Sequence, residues 1–312
     1  MMMKMKMKMK IKIYLKTNYF LISNMKIITS VINPNYIELQ YLSLKKFLKN
    51  DFEYIIFNDA KNFNDSTNNN DLSIKKKVFD KCNELNIKCI NHDNDFHINM
   101  KSASFRHASV LNIMLEYQKN NPDDYLYIDN DIFLIDYLDI NKYKKYDAAI
   151  VLQNRNINNI DINYIWPGLC FFNKNITNIN LLNWNLANGC DTGGMTFKWL
   201  LNLNNSNSFP TTISLRTAKN NEIYNTDKIY FINHLWASTW EINELPDNLN
   251  HNKKFVELLV SDIRNKNNKI SCELYDSVFL HYRGGSNWDS NVDIEFPNKL
   301  IDIFNLKITN IE

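Results

Sequence analysis

The stretch that decides the fold is Tyr125-Leu126-Tyr127-Ile128-Asp129-Asn130-Asp131-Ile132-Phe133-Leu134, an apolar run interrupted by two aspartates. Short runs of Leu, Ile, Phe and Tyr are typical of a strand that is buried on both faces. An ionised carboxylate is costly in such a place unless a cation pairs with it. Because the aspartates stand at positions i and i+2, their oxygens could bind one hard divalent cation together. We therefore predict a divalent metal site at the end of this strand.

The two aspartates also have an ordinary structural interpretation. Asp and Asn often turn the chain where it leaves a strand, so the pair could simply form a turn. We disfavour the turn because the apolar sequence resumes at Ile132. The same Asp-Asn-Asp triplet occurs at residues 93–95, between His92 and His97, without an apolar run before it. For that copy we predict a solvated loop.

Upstream of the aspartates, strand-like and helix-like segments alternate. Strands are predicted at 26–32, 52–57 and 87–90, and helices at 34–50, 73–85 and 102–118. In the last helix, Ser102 is the predicted N-cap, Phe105 belongs to the apolar face and Arg106 points elsewhere. This alternation indicates an α/β fold, a three-layer α/β/α sandwich of Rossmann-like type with a mostly parallel central sheet.

In such sheets, ligands bind at the carboxyl ends of the strands. Thr29 and Ser30, Asp59, and the pair Asp129 and Asp131 all stand at predicted strand ends. We therefore expect these side chains to converge on one ligand site. Further strands are predicted at 147–152, 165–172, 228–232 and 277–280, and a further helix at 195–203.

Composition favours a folded protein with a small-molecule or glycan partner. The 312 residues are 45% hydrophobic and 22% charged, with a net charge of +2 and no basic stripe of the kind that binds nucleic acid. The five cysteines lack the spacing of a zinc site or redox pair, which indicates reduced thiols in a cytoplasmic protein. No apolar run approaches the ~20 residues of a spanning helix, so we expect a soluble protein with no transmembrane segment.

All six glycines lie beyond Pro167, in three clusters. In a chain that otherwise avoids glycine, such positions indicate positive φ angles or close backbone approach to a ligand, although ordinary turns are the alternative. The third cluster, His281-Tyr282-Arg283-Gly284-Gly285-Ser286-Asn287-Trp288, follows an apolar strand. It combines an imidazole, a guanidinium and bare backbone amides, groups that suit a metal-bound diphosphate.

Together, the Tyr127-Ile128-Asp129-Asn130-Asp131 segment and the His281 to Trp288 segment resemble the motifs of DxD-containing nucleotide-diphospho-sugar glycosyltransferases of the GT-A fold. The glycogenin and lipopolysaccharide galactosyltransferase group is the most similar. The resemblance implies one domain at 25–290, with a nucleotide-binding half at 25–135 and an acceptor half at 136–290. A weakly ordered leader at 1–24 and a tail at 291–312 would flank it.

The resemblance also implies roles for individual residues. Asp131 and His281 would bind Mn²⁺ or Mg²⁺, and Asp129 would bind both the metal and the ribose of the donor, which we expect to be a UDP-sugar. Members of the group usually have Lys-Pro where this chain has Ser286-Asn287, so Arg283 could replace that lysine. The remaining implied contacts are to the nucleoside and the diphosphate: Thr29, Ser30, Val31, Asp59, Arg106, Gly284 and Gly285.

The resemblance makes Asp191 and Arg106 the candidate catalytic residues. Asp191 lies between glycine turns and could face the sugar, or it could merely cap the helix that follows. Trp166 could form an acceptor wall or belong to the core. The acceptor, a glycan, protein or lipid, stays open, as does a homodimer. Two other functions also stay open: a phosphohydrolase or nucleotidyltransferase that uses the aspartates, or an inactive glycan-binding protein of this fold.

Overall fold

A computed structural model describes residues 25–62, 73–100, 102–187, 189–203, 226–285 and 295–307. The predicted leader at 1–24 lies outside the described residues, as do nearly all of the polar loop at 62–70 and Ser286 to Trp288 of the third glycine cluster.

A mostly parallel sheet forms the centre of the molecule, as predicted. Its strands in the described ranges are β1 (Met25–Val31), β2 (Phe52–Asn58), β3 (Lys88–Asn91), β4 (Tyr125–Ile128), β6 (Ala148–Ile157), β7 (Ile160–Phe172) and β8 (Ile229–Phe231). They lie side by side in the order β3-β2-β1-β4-β7-β6-β8. Of these described strands, β7 alone runs against the others.

Helices cover both faces of this sheet. The described α-helices are α1 (Ile37–Phe47), α2 (Ile74–Glu84), α3 (Ala103–Asn120), α4 (Asn141–Lys144), α5 (Phe197–Leu203), α6 (Asp247–Asn250), α7 (Lys253–Val260) and α8 (Glu295–Ile303). Ile27 of β1 packs into an apolar core with α1 and α2, whereas its neighbour Ile28 packs into a second core with α3 and α5. Alternate side chains of one strand thus pack into cores on opposite faces of the sheet, which confirms the three-layer α/β/α sandwich.

The apolar run resumes after the aspartates because the chain enters a second sheet. This antiparallel sheet contains β5 (Ile132–Leu134), β9 (His234–Leu235), β10 (Glu273–Tyr275) and β11 (Phe279–His281), in the order β5-β11-β10-β9. Residues 129–131 therefore do turn the chain, from β4 in one sheet to β5 in the other. The pairing of His281 with Ile132 brings the imidazole next to the turn.

Two helices differ from their predicted form. The first begins at Ile37 instead of Pro34, because Asn33 Oδ1 accepts a hydrogen bond from the backbone of Asn35 and forms a turn there. In the first turn of α3 the predicted positions of two side chains are reversed: Phe105 is 56% exposed, whereas Arg106 is only 7% exposed. No described helix has both the length and the apolar character needed to cross a bilayer.

Candidate active site

A cavity of about 290 Å³ opens where β1, β2 and β4 end at their carboxyl edge. Ser30, Asp59, Asp129 and Asp131 all line it, which is the convergence expected of a parallel sheet. The amino end of α3, the loop around Asp191, the Trp166 region and the end of β11 complete the wall. The predicted site residues that line the cavity are Ser30, Asp59, Arg106, Asp129, Asp131, Asp191, His281 and Gly284.

Four predicted site residues do not line the cavity. Thr29 and Val31 are fully buried in the sheet, because their side chains alternate with that of Ser30. Arg283 is exposed, and its backbone carbonyl accepts a hydrogen bond from Arg264 Nη1 at 2.8 Å. The Gly285 amide donates within its own loop, so the contacts predicted for these four residues stay predictions.

His281 lies between two carboxylates. Its Nε2 is 3.3 Å from Asp131 Oδ1, and its Nδ1 is 2.6 Å from Oε2 of Glu273, the residue opposite it on β10. Burial alone would lower the pKa of His281, but Asp131 and Glu273 raise it to about 10. The Tyr275 hydroxyl also donates to Glu273 Oε2, at 2.6 Å. The imidazole is therefore held in one orientation, with Nε2 toward the cavity.

Asp129 is the partner of a histidine that the sequence analysis missed. His107, which follows Arg106 in α3 and lines the same cavity, has its Nε2 3.3 Å from Asp129 Oδ1. Burial alone would raise the pKa of Asp129, but His107 and His281 lower it below its usual value. Arg106 Nη1 donates to the Met100 carbonyl at 2.7 Å, which fixes its position at the cavity wall.

A second polar cluster surrounds Asp59 at the β2 end of the cavity. Its Oδ1 is 2.9 Å from Asn94 Nδ2, 2.9 Å from His97 Nδ1 and 3.3 Å from His92 Nε2. Burial alone would raise the pKa of Asp59, but hydrogen bonds from the two histidines lower it. The predicted solvated loop at 93–95 is thus wrong for Asn94, which is 1% exposed, because this loop folds over the buried carboxylate.

Asp191 is exposed at the rim of the cavity, in a loop with little freedom. The Thr192 amide donates to its Oδ1 at 2.7 Å, and the Thr192 hydroxyl donates to the Ser104 carbonyl of α3. Gly193, at φ +86°, precedes the 3₁₀ turn that leads into α5, so it and not Asp191 caps this turn. The loop therefore presents the Asp191 carboxylate at the cavity.

The residues suit a metal ion that a substrate helps to bind. No three His, Cys, Asp or Glu side chains among the described residues form a complete metal cluster. Asp131 and His281 nevertheless approach each other at the cavity, and their oxygen and nitrogen donors suit Mn²⁺ or Mg²⁺. Because Mg²⁺ is commonly bound by one or two carboxylates together with substrate phosphates, this donor set fits an ion shared with a diphosphate.

Several site residues gave a weak signal in the sequence or none. Glu273 could be found only from the pairing of β10 with β11, which sets it opposite His281. His107 stands out only as the neighbour of Arg106. Asn130 lies between the two aspartates; its buried side-chain amide lines the cavity and has no hydrogen-bond partner among the described residues. A ligand is one explanation for such an amide.

Comparisons with known proteins give little beyond this geometry. No protein-family model matches the sequence, and no curated protein matches it. A solved structure described as the WbbM bifunctional glycosyltransferase in its apo form is similar, with 14% identity and a TM-score of 0.30. The match covers 50% of this chain and 32% of that one, so it spans about a third of that protein.

Proposed function

We propose that the chain is a metal-dependent glycosyltransferase, which moves a sugar from a nucleotide-diphosphate donor to an acceptor. The observation that carries this proposal is the convergence of Asp131, His281, Arg106 and Gly284 with Asp129 in one cavity at the carboxyl edge of the sheet. Metal ligands, a guanidinium and a glycine backbone are the groups that bind a diphosphate. The proposal keeps the division into a nucleotide-binding half at 25–135 and an acceptor half at 136–290.

In this proposal, Asp131 and His281 hold Mn²⁺ or Mg²⁺, and Asp129 binds beside them. The ion would stabilise the negative charge that develops on the departing diphosphate. Arg106, fixed by the Met100 carbonyl, contributes a permanent positive charge at the same wall. The groups at the β1 and β2 ends, Ser30 and the Asp59 cluster, then bind the nucleoside of a UDP-sugar.

Asp191 is placed to act on the sugar or the acceptor. Its carboxylate is exposed at the rim of the cavity. In an inverting reaction it would accept the proton of the acceptor hydroxyl, whereas in a retaining reaction it would bind the sugar near C1.

A two-metal phosphohydrolase or nucleotidyltransferase is the second candidate. It needs further carboxylates beside Asp131 for a second ion. Among the described residues no such cluster exists, and Asp136 instead accepts a hydrogen bond from Asn248 at 2.7 Å. We therefore favour the single-ion transferase.

The test is incubation with a panel of nucleotide-sugars and Mn²⁺, followed by detection of free nucleoside diphosphate. We expect slow release from one donor class, and Asp131→Asn should reduce it at least about a hundredfold, since a lost metal ligand removes several kcal/mol of charge stabilisation. Asp95→Asn, at the exposed end of the other triplet, is the matched control and should retain full activity. Full release by Asp131→Asn would refute the assignment.

A further inference from the structure

Strands β6 and β7 continue beyond the central sheet as a two-stranded ribbon. Within the described ranges, pairing with β8 is confined to residues 148–150 of β6, and pairing with β4 is confined to residues 169–172 of β7. The two strands remain paired with each other from Val151 and Trp166 to the turn that follows Ile157. This ribbon leaves the sheet at the edge where the cavity opens, because Trp166 and Pro167 at its base line that cavity.

One face of the ribbon is continuous with the cavity wall. Residues directly opposite each other in an antiparallel pair point to the same face, and so do residues two positions apart along a strand. Trp166 is opposite Val151, Tyr164 is opposite Gln153, and Ile162 is opposite Arg155. The pairing therefore lines up Trp166, Tyr164 and Arg155 on one face, leading outward from the cavity.

This face packs against the loop that presents Asp191. A Cβ atom at Gly189 would lie 2.7 Å from Cδ1 of Ile157, on the same ribbon face as Arg155, so backbone and side chain meet there without a gap. Gly189 is at φ +73°, a conformation that glycine adopts readily. The ribbon and the Asp191 loop therefore form one continuous surface.

Electrostatic interactions connect Arg155, Tyr164 and Asp191. Tyr164 and Asp191 both raise the pKa of Arg155, with the Tyr164 hydroxyl contributing most. Burial raises the pKa of Tyr164, and Arg155 and the Asp191 backbone partly oppose it. The Tyr164 side chain is fully buried, and its hydroxyl makes no well-formed hydrogen bond to another described residue. Tyr164 is thus buried in the ribbon face that carries the exposed Arg155, and the charge of Asp191 acts on the same guanidinium.

We propose that this ribbon face binds a carbohydrate acceptor, with Arg155 and Asp191 holding its hydroxyl groups and Trp166 contacting its ring. The inference rests on the proposed transferase function, since it assigns the acceptor class of the same cavity. Tyr164 acts as a positioning residue, because its hydroxyl is buried away from the acceptor and interacts with Arg155 through electrostatics.

The chemistry of this face favours a sugar over the other acceptor classes. Each sugar hydroxyl both donates and accepts hydrogen bonds, so it suits a surface that offers a guanidinium donor beside a carboxylate acceptor. The Trp166 ring stacks on Tyr275, with ring centroids 5.1 Å apart, and its partly exposed remainder offers apolar surface to a sugar ring. A lipid tail would instead need a continuous apolar groove, which Arg155 and Gln153 interrupt.

The experiment uses whichever nucleotide-sugar the panel assay shows to be the donor. It measures sugar transfer from that donor to a panel of p-nitrophenyl glycosides, and donor hydrolysis without an acceptor. Arg155→Ala should raise the acceptor KM and lower the ratio of transfer to hydrolysis, each by about tenfold, the order expected for hydrogen bonds to a charged group. Tyr164→Phe should raise the acceptor KM less, with little change in kcat, and Arg155→Lys should restore part of the loss.

Asn154 provides the matched control. It neighbours Arg155 but points to the opposite face, where its Nδ2 donates to Asn163 Oδ1 at 3.0 Å, so Asn154→Ala should leave both reactions as they are. An unchanged acceptor KM in Arg155→Ala, or transfer to a peptide or lipid but to no glycoside, would overturn the acceptor assignment while leaving the transferase intact. Absence of donor hydrolysis in the unmodified protein would overturn both.

Discussion

Glu273 is a buried residue outside the cavity that fixes the orientation of His281 at the cavity. It accepts the Nδ1 proton of His281 at 2.6 Å, which directs Nε2 at the cavity. Because the pKa of His281 is raised to about 10, a metal ion bound there would displace the Nε2 proton. Burial alone would raise the pKa of Glu273, but His281 and Tyr275 lower it, so the carboxylate stays ionised. Such carboxylate–histidine pairs fix the tautomer and orientation of metal-binding imidazoles.

We therefore predict that Glu273→Gln weakens Mn²⁺ binding about 10- to 100-fold, the range typical for partners of metal-binding histidines. The measurement is Mn²⁺ affinity by calorimetry in the presence of UDP. Tyr275→Phe is the control, because it removes a hydrogen bond to the same carboxylate but keeps the contact between Glu273 and His281 Nδ1. Equal losses of affinity in the two variants would show that packing, and not imidazole orientation, explains the effect.

At the residue scale, a position at the cavity was predictable where one short motif contained the residue. Asp129, Asp131 and His281 stand in motifs, and all three line the cavity. Glu273 and His107 act through contacts between distant segments, which local sequence patterns do not encode. The prediction for the second triplet was wrong at Asn94, which is buried although the aspartates on either side of it are exposed. Its hydrogen-bond partner, Asp59, lies 35 positions earlier, so the local sequence does not indicate the contact.

At the scale of elements, two glycines with similar backbone angles have different surroundings. Gly193 has φ +86°, and a Cβ there would lie 2.4 Å from the Ile165 backbone oxygen. Gly284 has φ +73°, but a Cβ there would meet no described atom within 4 Å. The Gly193 turn is further fixed because the Thr196 hydroxyl donates to the Gly193 carbonyl at 2.6 Å and accepts from the Ile165 amide.

These surroundings predict different costs for the same substitution. Gly284→Ala should lower the free energy of unfolding by about 1–2 kcal/mol, the cost of a left-handed conformation for a residue with a Cβ. Gly193→Ala should cost about 3 kcal/mol or more, because the backbone clash adds to that strain. Urea unfolding of both variants measures the difference, and equal losses would contradict a clash at Gly193.

The elements themselves were largely readable from periodicity, and the exceptions have physical reasons. Strands β1 to β4 and the helices between them follow the predicted alternation. The stretch around the aspartates was interpreted as one strand, although it supplies β4 and β5 to two different sheets. An apolar run records burial and not the identity of the partner strand, so the second sheet could not be predicted from it.

At the scale of the whole molecule, the two sheets share one core and line one cavity. Ile27 of β1 and Leu280 of β11 belong to the same apolar core. Asp131 follows the central sheet, whereas His281 ends β11 of the smaller sheet. An ion held by both residues would therefore connect the two sheets at the cavity, in addition to the apolar contacts beneath it.

This arrangement predicts that Mn²⁺ and UDP stabilise the protein together. A ligand at a hundred times its dissociation constant adds about 2.7 kcal/mol to the free energy of unfolding. For a domain of this size, that corresponds to a Tm increase of roughly 5 °C. Mn²⁺ with UDP should produce this shift, and each alone should produce much less, because Asp131 and His281 leave most coordination positions to the diphosphate.

Differential scanning fluorimetry measures the shift, with His281→Ala as the variant that should lose its Mn²⁺-dependent part. A full shift with UDP and EDTA would mean that the nucleotide binds without the ion, and the shared-ion account would then be wrong.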